Sequence, residues 1–184
     1  PCHNDPMFEA GRCAFGQAGA AQAHLDNQGV AEGDVFLFFG LFARSGGRDP
    51  HHRIFGWMRV ERRIPLGPAP GPDDQPDGFR HRHPHTLGDW NANNTLHVGP
   101  GGVARTAPDL LRLSVPGGPR SRWRVPPWLR ETGLSFHGSA ERWSDEGRLA
   151  VVARGQEFVA DIGDREDARA WLASVIDAIG AEPA

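Results

Sequence analysis

Lysine is absent from this chain of 184 residues, and all 20 basic side chains are arginine. Arginine suits bidentate contacts to phosphates and base edges, although GC-rich coding produces the same bias. Cysteine is almost absent too: Cys2 and Cys13 are too few for a disulfide scaffold and are not at metal-ligand spacing. As nucleophiles, neither has a neighbouring base in sequence. No apolar run reaches the length of a membrane helix and no signal-peptide pattern is visible, so no membrane association is expected and the cytoplasm is the expected location. Neither sign of charge dominates. A net charge of −3 excludes a global basic field that would drive nucleic-acid binding. The chain opens on Pro1 instead of methionine and reads as mid-chain.

What is present points to short elements joined by long loops. There are 24 glycines and 16 prolines, more than usual but short of the disordered range. A chain of this length buries about 70% of its extended surface, enough for a real core. An Ala-rich stretch predicts a helix over residues 15–28, stopped by Gly29. The aromatic run Val35–Phe42 and the segment His52–Val60 predict two strands paired as a hairpin. Gly56, inside the second, signals a bulge or a close backbone approach. Residues 65–80 form a Pro/Gly-rich surface loop. Shorter strands are expected at 95–98, 111–115, 149–152 and 157–162, with one proline-started helical turn at 126–130. The C-terminal helix, 164–180, is the clearest element: Asp164 caps it, and Ala168, Trp171, Leu172, Val175, Ile176 and Ile179 repeat at helical spacing. The expected architecture is a single α+β domain over residues 1–184.

The order Asn27, Gly33-Asp34, Val35–Phe39, then Ile54-Phe55-Gly56-Trp57 resembles EVE, ASCH and PUA-like domains, which hold a nucleobase or RNA segment in a pocket. That resemblance implies a PUA-like mixed or antiparallel β-barrel core with flanking helices. A broader set of motifs covers most of the chain. It comprises Cys2-His3-Asn4-Asp5-Pro6, Phe15–Ala21, His24–Val30, Gly33–Gly40, Ile54–Trp57, His83-Pro84-His85, Asn94-Thr95-Leu96, Trp143 and Arg154–Val159. Their order is similar to that of the nucleotide modification associated domain 3 family. The resemblance implies a bacterial and phage domain linked by genomic context to base modification, and it brings no established catalytic residues. It also implies a further N-terminal segment before Cys2. Family members favour Trp where Leu41 stands.

Within this frame, Gln17 and His24 are seven residues apart on the expected first helix and share a face, with Asn27 at its end. Such a face offers amide and imidazole groups to a base edge, against the alternative of a solvated helix face. Trp90, set among Asp89, Asn91, Asn93 and Asn94, offers a stacking surface beside polar groups. The expected nucleotide pocket lies between the first helix, the strand end from Phe39 to Phe42, and the loop from His83 to Asn94. Gln17, His24, Asn27, Phe39, His83, His85, Trp90 and Asn94 line it. Arg120, Arg122 and Arg124 alternate and would follow phosphates along an extended segment.

His81, His83 and His85 also alternate. On a strand they would present three imidazoles to a metal, with His97 as a fourth; Pro84 argues instead for a polar loop. No nucleophile elbow or phosphate loop is present, so no cofactor is expected. Three functions compete. The chain reads first as a nucleotide or modified-base binding domain of DNA-modification or phage-conflict systems, with nucleic acid as its partner. The others are a base-modifying or base-removing enzyme, metal-dependent through the His cluster, and a module that docks a modification enzyme.

Overall fold

The computed structural model describes residues 5–44, 46, 48–144, 146–152 and 157–181. Cys2, His3 and Asn4 of the first family motif, and Arg154 to Gln156 of the last, lie outside them. Two compact units divide the chain. One takes the chain up to Phe38 with Gly56–Val103, the other Phe39–Phe55 with the chain from Ala104 onward.

In the first unit, β1 (Met7–Glu9) and β2 (Arg12–Gln17) form an antiparallel hairpin. β2 runs antiparallel to β6 (Thr95–Val103), placing Phe15 opposite His97 and Gln17 opposite Thr95. The other edge of β6 takes β5 (Arg62–Pro65), then the end of β4 (Arg48–Arg59), both antiparallel. With β3 (Val35–Arg44) the sheet order is β1-β2-β6-β4-β3. Period-two alternation sorts the side chains. Met7, Ala14, Leu96 and Val98 bury on one face against Ile64, Leu66 and Phe79. Each large member of such a cluster contributes about 1.5–3 kcal/mol. Phe15, Phe36, Phe38 and His97 pack together, with Phe15 centred 5.2 Å from Phe36 and 5.1 Å from Phe38. Gly56 is a close approach, as its sequence suggested: a Cβ there would lie 2.7 Å from the Phe8 ring.

The first helix, α1, spans Gly19–Asn27 and starts later than residues 15–28 predicted. Phe15 and Gln17 belong to β2, so Gln17 and His24 do not share a helix face. The break comes at Gly19, whose positive φ of 61° turns the chain out of the strand. Asn93 clamps that turn, accepting from Gly19 N at 2.7 Å and donating to Gly19 O at 2.8 Å.

The second unit holds the antiparallel sheet β7 (Arg122–Arg124), β9 (Arg148–Ala150) and β8 (Trp143–Ser144). Trp123, Leu149 and Val151 form its core, with Phe39, Leu113 and Phe158 packed on them. Helices α2 (Pro127–Thr132) and α3 (Glu166–Gly180) meet through Trp128 and Trp171, ring centres 5.6 Å apart. Three expectations fail here. Residues 111–115 are not a strand: a 3-10 turn covers Asp109–Leu111, and only isolated bridges follow. Residues 157–162 are not a strand either; Val159 is instead held by Ser135, whose Oγ accepts from Val159 N at 2.8 Å. Asp164 does not cap α3; it accepts from Arg169 at 2.6 Å, and no side chain caps that helix.

The outcome is an α+β chain with antiparallel sheets and flanking helices, the expected class. Among the described residues, no helix is long and apolar enough to cross a membrane.

Candidate functional site

Asp5 and the loop from His83 to Asn94 meet on β2, within the first unit, at Gly16. The Gly16 backbone N–H donates to Asp5 Oδ1 at 3.1 Å. A Cβ at Gly16 would lie 2.3 Å from His85 Cγ, so only glycine lets the imidazole rest against the strand.

The loop is shaped by proline. Pro84 opens a 3-10 turn over Pro84–Thr86, and His83 caps it, its Nδ1 accepting from His85 N at 3.2 Å. Thr86 Oγ1 donates back to His83 O at 2.8 Å, and Gln75 Oε1 accepts from His83 N at 2.8 Å. Arg82 donates to Thr86 O. The three imidazoles therefore do not alternate along a strand: His83 and His85 are buried in a turn, and His81 is exposed.

Hydrogen bonding assigns the tautomers. Asn94 Nδ2 donates to His85 O at 3.0 Å, which leaves Asn94 Oδ1 to accept from His85 Nδ1 at 2.6 Å. His85 thus carries a proton on Nδ1 and turns Nε2 toward Asp5 Oδ2, 3.5 Å away. Because His83 Nδ1 is an acceptor, its neutral ring carries the proton on Nε2. That atom is 3.3 Å from Asp5 Oδ1, buried and without a hydrogen bond. A metal on His83 Nε2 would need the opposite tautomer, with Nδ1–H driven against the His85 amide. Among the described residues, no group of three His, Cys, Asp or Glu side chains is arranged to hold a metal ion.

Trp90 lies on His85, ring centres 3.8 Å apart and planes 20° from parallel. Its backbone N–H donates to Pro68 O at 2.9 Å and its indole N–H to Leu87 O at 2.8 Å, fixing the ring. The indole is half-buried, and Asp89 and Asn91 beside it are exposed. His83, His85, Trp90 and Asn94 are thus brought together. Asn94 spends both ends of its amide on His85.

Gln17 is half-buried at the end of β2, His24 half-buried on α1, and Asn27 exposed at its last residue. Phe39 belongs to the second unit, its ring centred 4.9 Å from Trp123 and 5.8 Å from His52. Arg120 and Arg122 are exposed, whereas Arg124 donates to Asp109 Oδ2 at 2.8 Å and to two backbone oxygens. Arg122 borders an open cleft of about 410 Å³ with Arg142, Arg148, Glu141 and Glu146.

Two features escaped the sequence reading. One is Asp5, which stood in a family motif but whose partners lie about 80 residues away. The other is a polar chain under α1. Gln22 Nε2 donates to Asp26 at 2.9 Å, so Gln22 Oε1 accepts from His97 Nε2 at 3.1 Å, and Asp26 also binds Arg63. Burial pushes the His97 pKa down to about 4, with the Arg63 charge adding to it, so the ring stays neutral. Cys13 is fully buried; desolvation, then the Asp5 charge, pushes its thiol far above the ordinary range. That removes it as a nucleophile.

Comparison with curated proteins and with solved structures returns no match. Residues 1–161 match the family described as nucleotide modification associated domain 3, and the chain belongs to that family.

Proposed function

We propose that this chain is a nucleotide or modified-base binding domain serving nucleotide modification, and that it takes a base against Trp90. The observation that carries this reading is the Trp90–His85 stack, an aromatic ring fixed at both ends and set between exposed Asp89 and Asn91. Unpaired bases stack on such platforms, and nearby polar groups distinguish their edges. Asn94 and His83 serve from beneath, holding His85 and with it the platform. Gln17, His24 and Asn27 are the further candidates for contacts to the base or sugar. On the second unit, Arg120 and Arg122 are the exposed candidates for phosphate contact, with Arg124 partly committed to Asp109.

The family assignment supports a link to nucleotide modification, and the platform supports a single-stranded or extruded base over intact duplex. The test is a titration of single-stranded and duplex oligonucleotides, carrying ordinary or 5-substituted bases, followed by indole fluorescence. Quenching that saturates on single strands and disappears in Trp90→Ala supports the reading. Saturable binding unchanged in Trp90→Ala removes its centre.

A further inference from the structure

We propose that Asp5 and His85 form an acid–base pair that hydrolyses the bond between a nucleotide base and its sugar. The proposal rests on a base being seated beside Trp90. Asp5 is the most open member of the cluster, with 14% of its side-chain surface exposed against 9% for His85 and none for His83. One carboxylate oxygen is held by the Gly16 N–H and faces His83; the other faces His85 Nε2 at 3.5 Å. Catalytic contacts are often this long before substrate arrives. Asn94 fixes His85 with Nδ1 protonated, so Nε2 is the nitrogen that exchanges a proton with Asp5.

Two buried imidazoles set against a half-buried carboxylate are costly to hold without function.

The parts fit hydrolytic base removal. A water O–H passes its proton to Asp5, and the electron pair left on oxygen attacks the sugar carbon C1′. A C1′–O bond forms, and the C1′–N bond breaks with its electrons leaving on the base. The proton moves from Asp5 through His85 Nε2 to the departing base, while Asn94 Oδ1 steadies the transient imidazolium. The carboxylate also faces the positive charge that develops at C1′. Water is the only co-reactant, and nothing is oxidised or reduced.

The experiment incubates the protein with single-stranded oligonucleotides that carry ordinary bases, 5-hydroxymethylpyrimidines or 7-deazaguanine. Mass spectrometry reads loss of a base with gain of a hydroxyl, and polarisation follows binding in the same samples. The expected result is an abasic product from at least one probe. Asp5→Asn should slow its formation by about 100-fold or more, with a far smaller change in dissociation constant. His85→Gln, with native circular dichroism as its folding control, should also stop product formation, and it should weaken binding as well because the imidazole supports Trp90. Trp90-dependent binding with every probe returned intact overturns this proposal and leaves the binding domain standing. A product formed equally fast by Asp5→Asn also overturns it. No binding to any probe overturns both readings.

Discussion

His85 and Asn94 exchange two hydrogen bonds: the ring Nδ1 donates to the amide oxygen at 2.6 Å, and the amide nitrogen returns one to the His85 carbonyl at 3.0 Å. Asn94 is 1% exposed and His85 7%, so water cannot replace either bond. The pair sets the tautomer of His85, and with it the nitrogen turned toward Asp5.

Asn94→Ala should therefore destabilise the protein by about 1–3 kcal/mol, the range for leaving buried polar groups unpaired. Urea unfolding of wild type and variant measures it. A loss under about 0.5 kcal/mol would place the pair in contact with water.

Gly16→Ala should be worse than a glycine replacement in a strand suggests. The added carbon would lie 2.3 Å from His85 Cγ, so the ring must leave Trp90. Overpacking of this kind destabilises by about 1–3 kcal/mol. Gly138→Ala is the control, since nothing lies within 4 Å of a Cβ there. Unfolding midpoints should fall for the first and hold for the second.

Three histidines make stability depend on pH. His97 is lowered to about 4 by burial and Arg63, and burial also lowers His52 and His137. An unfolded histidine takes up a proton near pH 6.5. The stability these rings contribute is thus full above that value and declines as pH falls. For His97 it is lost by the time the pH has passed through about 4, a change of about 3 kcal/mol. Denaturation at pH 7, 5.5 and 4 should show this slope. In His97→Leu the slope should be shallower, even though Gln22 loses its partner; an unchanged slope would assign the acid sensitivity elsewhere.

Cys13 should resist alkylation in the folded protein at pH 8 and react fully in denaturant. Peptide mass mapping after iodoacetamide resolves this thiol from Cys2. Rapid native labelling at Cys13 would contradict its burial.

Much of the fold was legible because alternation and proline act locally. The aromatic strand at Val35, the strand around Gly56 and the C-terminal helix followed from residues near in sequence. The failures arose where distant partners decide. Residues 15–17 look helical beside an Ala-rich run, but pairing with His97 and Leu96 across β6 makes them a strand. Asp164 has the chemistry of a helix cap, yet Arg169 claims it. At the site, Trp90, His83, His85 and Asn94 were visible as a polar-aromatic loop. Their mutual bonds were not, and neither was Asp5, which reaches the loop only after β1 and β2 fold back. Pro84, which in the sequence already argued for a polar loop over a metal-binding strand, opens a turn at His83 and His85.

A base bound against Trp90 makes affinity depend on that ring. The most direct measurement is a polarisation titration of a labelled single-stranded oligonucleotide against wild type, Trp90→Phe and Trp90→Ala, each shown folded by circular dichroism. Base–aromatic stacking contributes about 1–3 kcal/mol per base. Trp90→Ala should accordingly weaken binding by about 5- to 150-fold, and Trp90→Phe should recover most of the loss. Equal dissociation constants for all three proteins would show that no base binds against Trp90.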